Sequence, residues 1–248
     1  MAGQAAVWAG TVGLGLLLAA DPPKDFGPLY ALYQQLEQDY VEASEIHESA
    51  ALEKQAGVAL HAIEVARKTG DKGITTQVER LAHGISKHAE ALELRDNFRR
   101  LEGLLNKAGR FPQWPAQRPD LQRAQALFAL QCAPCHGKNG AGDGPIAAAL
   151  VPPPENFLVS DTANPMSPWR AYVAITWGVY GTSMPAFAPL SEADRWSLAF
   201  YVQALRQPAC AGKNVPLSLR ERATSTDLQL SGRFGEAALP CLRRDLPP

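Results

Sequence analysis

Cys132-Ala133-Pro134-Cys135-His136 places two thiols three residues apart, with an imidazole directly after the second. On one turn of chain this spacing lets both thiols add across the two vinyl groups of a haem, which lie a fixed distance apart. The adjoining histidine then sits under the iron as proximal ligand. With four Cys and five His in 248 residues, chance yields such a pentapeptide in about one chain in a thousand. Two other chemistries of paired cysteines fit poorly. A tetrahedral zinc site needs a second ligand pair, and Cys210 and Cys241 have no paired spacing. A redox dithiol belongs in a βαβ setting, and no segment alternates like a strand. The expected cofactor is one covalent haem c on Cys132 and Cys135, with His136 on its iron.

The sixth ligand is sought among three methionines, one of them Met1. Met184 lies in Gly181-Thr182-Ser183-Met184-Pro185, a turn-forming loop that can bring a thioether to the open haem face, and it is the expected ligand. Met166, in Asn164-Pro165-Met166, is the fallback. His/Met ligation saturates the iron and raises its potential, which suits electron transfer rather than catalysis. An open sixth position, with Met184 unbound, would instead indicate a haem enzyme or gas sensor. His47, His61, His83 and His88 lie in the N-terminal helices and read as surface residues.

These residues need elements to position them, and the sequence predicts an all-α protein. Leu29, Leu32, Leu36, Tyr40, Ala43, Ile46 and Ala50 recur with helical period, predicting one long helix over Pro28–Lys68. Gly70-Asp71-Lys72-Gly73 breaks it. A second helix carries Val78, Leu81, Ile85, Ala89, Leu92, Phe98, Leu101 and Leu105. Together they predict an antiparallel hairpin over 25–110. Three prolines in 111–119 (FPQWPAQRP) predict a stiff linker. Short helices follow at about Leu121–Gln131 and Pro168–Val179, and Ser191 caps a last strong helix through Leu205. The haem-bearing unit is placed at 120–206 and a helical tail at 207–248.

Composition bounds the rest. A hydrophobic fraction of 46% and a charged fraction of 20% are globular values, and a net charge of −1 gives no argument for nucleic-acid binding. Met1–Ala20 has no charged residue, and its stretch Thr11–Ala20 (TVGLGLLLAA) reads as the apolar part of a secretory signal or an uncleaved anchor. No Lys or Arg precedes that run. The expected location is periplasmic or otherwise extracytoplasmic, soluble or held to a membrane through residues 1–20.

Residues 120–206 resemble class I cytochrome c. The resemblance rests on Ala126-Leu127-Phe128 before the attachment motif, Gly137 after it, and Gly140-Ala141-Gly142-Asp143-Gly144-Pro145. It continues through Pro152–Pro154, Asn156-Phe157, Trp177-Gly178, Met184-Pro185-Ala186-Phe187, and Trp196 to Leu205 with Tyr201-Val202. It implies that the first and last helices of the unit cross, with Phe128 meeting Tyr201. Ala124 stands where that family usually has glycine, implying slightly wider spacing at the crossing.

The whole chain is similar to the extracytoplasmic part of bacterial cytochrome c–iron permease fusion proteins. Asp39-Tyr40-Val41-Glu42-Ala43 resembles a motif of their helical region, and Thr224-Ser225-Thr226-Asp227 their tail. These residues include no further apolar spans and no Arg-Glu-x-x-Glu motif. The resemblance implies a redox partner that is an iron permease, with electrons passed on from ferrous iron. The competing expectation is a respiratory subunit that docks through the hairpin on a dehydrogenase or oxidase.

Glu45, His47 and Glu48, with Glu42 and Glu53 nearby, offer hard oxygen and imidazole ligands for iron, although such a run also describes a solvated helix face. In an exported protein Cys210 and Cys241 favour a disulfide tying the tail; two separate buried thiols are the alternative.

Overall fold

The computed structural model describes residues 25–45, 49–87, 89, 91–109, 113–159, 166–212 and 215–247, without the side chains of 38–45, 49–54 and 91. The apolar segment 1–20 lies outside this range, as do His47, Glu48 and the side chain of Glu45. Among the described residues the fold is all-helical, and no helix is long and apolar enough to cross a membrane.

Where the sequence predicts two long helices, the described residues form four: α1 (Gly27–Glu45), α2 (Ser49–Thr69), α3 (Lys72–Ser86) and α4 (Ala91–Gly109). Gly70 makes the expected turn, and the Asp71 carboxylate caps α3 by accepting from Ile74 N at 3.0 Å. The second arm divides because the chain turns after Ser86. Lys87 N–H closes on the His83 carbonyl at 3.0 Å and Ala89 N–H on that of Gly84 at 2.9 Å. Consecutive helices pack together, and α1 also meets α4, closing a bundle. Its interior holds Leu29, Tyr33, Leu36, Val58, Ile74, Leu81, Phe98 and Leu105, all buried.

Segment 113–119 packs against the fold. Pro115 and Pro119 are buried, and the Arg220 guanidinium lies 4.8 Å over the Trp114 ring. Next come α5 (Leu121–Gln131), the single turn α6 (Ala133–His136), α7 (Pro168–Trp177) and α8 (Glu192–Ala204). Each longer helix starts on a side-chain cap: Asp120 for α5, Ser167 for α7 and Ser191 for α8.

Helices α5 and α8 cross with Ala124 fully buried and the Phe128 and Tyr201 rings 5.5 Å apart. Arg123 pairs with Asp194 in two-pronged fashion, and Asp120 N–H donates to Ser197 Oγ at 3.0 Å. On the other side of α8, Trp196 stacks on Tyr172 of α7 at 4.1 Å. The bundle joins the same core through Tyr30 against Trp169, at 5.5 Å, and an ion pair between Glu37 and Arg170. One buried apolar cluster therefore runs from Phe26 to Leu246.

The tail forms α9 (Leu219–Thr224), α10 (Asp227–Phe234) and α11 (Leu239–Arg244). Its apolar interior is small, with Leu217, Leu230 and Leu242. A disulfide joins Cys210 to Cys241. Two fully buried arginines complete it. Arg222 donates to the carbonyls of Val215, Leu217, Cys241, Leu242 and Asp245. Arg243 donates to the Asp227 carboxylate and to the carbonyls of Arg222 and Ser225. Arg206, just past α8, also pairs with Asp227 and fastens the tail to the preceding unit.

Candidate haem-binding site

The motif sits where α5 ends. Cys132 N–H completes α5 by donating to Phe128 O at 2.9 Å, and the N–H groups of Cys135 and His136 turn back to Cys132 O. Both thiols are free and half-buried. Burial, and secondarily the neighbouring Cys135, pushes the Cys132 thiol up to about 12.

The glycine-rich segment then folds over this turn. The carbonyls of Pro134, Cys135 and His136 accept from the N–H groups of Ile146, Gly144 and Gly142 at 3.2, 3.1 and 2.8 Å. Gly144 is required by this close approach, since a Cβ there would lie 2.3 Å from the Pro134 carbonyl oxygen. The Gly140 carbonyl accepts from Phe157 N–H at 2.8 Å, which brings residues 155–157 alongside.

That placement orients the imidazole. His136 Nδ1 lies 3.1 Å from the Glu155 carbonyl oxygen, and its ring stacks on Phe157 at 4.6 Å. A carbonyl only accepts, so Nδ1 carries the proton and Nε2 keeps its lone pair. Burial holds His136 below its ordinary value, only partly countered by the bond to Glu155, so the ring is neutral at physiological pH. A neutral imidazole with a fixed tautomer is what a metal ligand requires. The residues therefore fit a haem c: two correctly spaced thiols and one oriented imidazole on a rigid turn.

Met184 stands half-buried against the core, in the loop between α7 and α8. The loop is closed at both ends. Gly178 leaves α7 with φ of 75°, and a Cβ there would lie 2.9 Å from the Met184 carbonyl oxygen. Val179 N–H donates to that carbonyl at 3.3 Å, and Met184 N–H donates to Thr182 Oγ1 at 3.1 Å. Beyond Met184, Phe187 N–H returns to Ile175 O at 2.8 Å, and Arg195 donates to the carbonyls of Ala188 and Leu190. Met166 immediately precedes the Ser167 cap of α7 and packs against the same core. His61 and His83 lie on α2 and α3, away from the attachment turn in sequence, and His61 stacks on Tyr180 at 4.2 Å. Among the described residues no group of three or more His, Cys, Asp or Glu converges to hold a free metal ion.

Glu155, Tyr180 and Arg195 are the positioning residues that spacing alone does not reveal. Glu155 acts through its backbone carbonyl, so its side-chain identity carries no signal. Tyr180 and Arg195 act through partners distant in sequence or through loop carbonyls.

Residues 119–202 match the family model described as cytochrome c oxidase, cbb3-type, subunit III, which supports a c-type cytochrome domain here. Such a domain implies covalent haem c and supports haem-based electron transfer. No curated protein matches the chain. Among solved structures it is similar to a chain of the reducing HAO-like protein complex of Kuenenia stuttgartiensis, with 28% identity over 48% of this chain and 63% of that one, at a TM-score of 0.37. The chain thus spans less than two thirds of that relative's length.

Proposed function

We propose that this protein is an exported one-electron carrier, with a single haem c attached through Cys132 and Cys135 and ligated by His136 and Met184. When bound, the haem supplies an iron centre that cycles between ferric and ferrous states. The observation that carries this reading is the His136 orientation, with Nδ1 committed to the Glu155 carbonyl and Nε2 left as the donor. Cys132 and Cys135, on the turn that ends α5, would hold the haem covalently through their sulfurs. The Met184 loop, tied to both α7 and α8, supplies a soft thioether as sixth ligand. With both axial positions filled, the site favours electron transfer over oxygen activation. The electron-transfer role implies a redox partner protein. A narrower role beside an iron permease rests on the resemblance of Asp39–Ala43 and the tail alone.

The test uses protein produced with haem-attachment machinery in a periplasm. The haem is expected to stay with the polypeptide through denaturing electrophoresis, and to be lost from Cys132→Ala/Cys135→Ala. The reduced protein is expected not to bind carbon monoxide readily. Haem that separates from the wild-type chain on denaturation would overturn covalent attachment. Rapid carbon monoxide binding would overturn the closed sixth position.

A further inference from the structure

We propose that the N-terminal bundle is a clamp on the Met184 loop, with Gln35 and His61 as positioning residues acting through Tyr180. The proposal rests on the reading of Met184 as sixth ligand.

Three contacts carry it, all aimed at the exit of α7. Gly27, the first residue of α1, lies so close to Trp177, the last residue of α7, that a Cβ would fall 2.2 Å from the indole. Two turns along α1, the Gln35 amide donates to the Tyr180 carbonyl at 2.9 Å. From α2, the His61 imidazole stacks on the Tyr180 ring at 4.2 Å, with planes only 10° apart. Tyr180 lies four residues before Met184, in the segment whose Val179 N–H binds the Met184 carbonyl.

The loop needs such support. Gly178 and Gly181 both take positive φ, and a Cβ on Gly181 would meet nothing within 4 Å. Tyr180 itself is 44% exposed. A loop with few buried contacts opens at low free-energy cost, and a ligand carried on it dissociates at the rate of that opening. The bundle that grips it is firmly seated, because Glu37 pairs with Arg170 and Tyr30 packs on Trp169 in the body of α7. The bundle therefore restrains the one segment whose movement would release the sixth ligand, and so helps keep the iron closed and its potential high.

The experiment measures the rate at which imidazole displaces the native sixth ligand of the ferric holoprotein, by stopped-flow absorbance. The sulfur-to-iron charge-transfer band is recorded in parallel. Alanine at positions 35 and 61 suits a helix, so the variants should fold. Losing one hydrogen bond and one aromatic stack together should speed displacement about tenfold in Gln35→Ala/His61→Ala. His61→Phe, which keeps the stack, should stay near the wild-type rate. His61→Ala and Tyr180→Ala should not add, because each removes the same contact. A double variant that exchanges at the wild-type rate, with the band intact, would overturn the clamp alone. A wild-type ferric protein lacking the band would overturn the Met184 reading and the clamp with it.

Discussion

The His136 imidazole takes its orientation from a neighbour's backbone, since Glu155 offers a carbonyl that fixes the protonated nitrogen. The candidate haem-binding residues stand out in the sequence because their signal is local: three side chains on one turn, and one methionine between turn-forming residues. Their supports do not, because backbone carbonyls and long-range partners leave no spacing to read. Gly144 shows the distinction. Its place in a glycine-rich run was evident, whereas its reason is the Pro134 carbonyl passing 2.3 Å from where a Cβ would lie. Gly144→Ala must push the attachment turn away from its cover. It is expected to lower stability by about 2 kcal/mol or more and to reduce the fraction of chains carrying haem. Denaturant midpoints and the haem-to-protein absorbance ratio measure both. An unchanged ratio would show that the turn tolerates the displacement.

Apolar stripes and the Ser191 cap located most elements, whereas the caps of α5 and α7, Asp120 and Ser167, emerge only in the structure. The break between α3 and α4 is hidden in the sequence because apolar residues at three- and four-residue spacing, Leu81, Ile85, Ala89 and Leu92, run across it, yet Leu92 is exposed and the interior is entered by Leu94, which would lie opposite Ile85 on one unbroken helix. Ile85 and Leu94 both face the interior on either side of residues 87–90. Crossing contacts allow a pH prediction. The hydrogen bond from Arg123 holds the Asp194 carboxyl below its ordinary value of 3.8, outweighing the upward effect of burial. A carboxylate with a depressed folded-state pKa contributes stability above its ordinary value and loses it as pH falls through the folded one. The α5–α8 crossing should weaken below about pH 4, and Asp194→Asn should remove that part of the acid sensitivity. Thermal midpoints from pH 6 down to about 3 test this. Equal acid slopes for wild type and variant would contradict it.

At the scale of the whole molecule, the common core joins bundle and cytochrome domain, so they should unfold together. Far-ultraviolet circular dichroism, dominated by all helices, and haem absorbance, local to one domain, should give coincident transitions. Two separated transitions would show that the Tyr30–Trp169 and Glu37–Arg170 contacts do not couple the parts. The tail adds a cross-link to a small apolar interior. The Cys210–Cys241 bond closes a loop with a sequence separation of 31, a constraint contributing about 3–4 kcal/mol through the unfolded chain. Cys210→Ser/Cys241→Ser should lower stability by about that amount, read from denaturant unfolding with haem attachment intact. A much smaller loss would assign the tail's hold mainly to the buried Asp227, Arg222 and Arg243 network.

The central claim, a low-spin haem closed by His136 and Met184 for electron transfer, meets its most direct measurement in the ferric absorption spectrum. Wild type and Met166→Leu are expected to show the sulfur-to-iron charge-transfer band, and Met184→Leu to lack it and to bind carbon monoxide when reduced. A band that survives in Met184→Leu, or is missing from the wild type, would contradict the account.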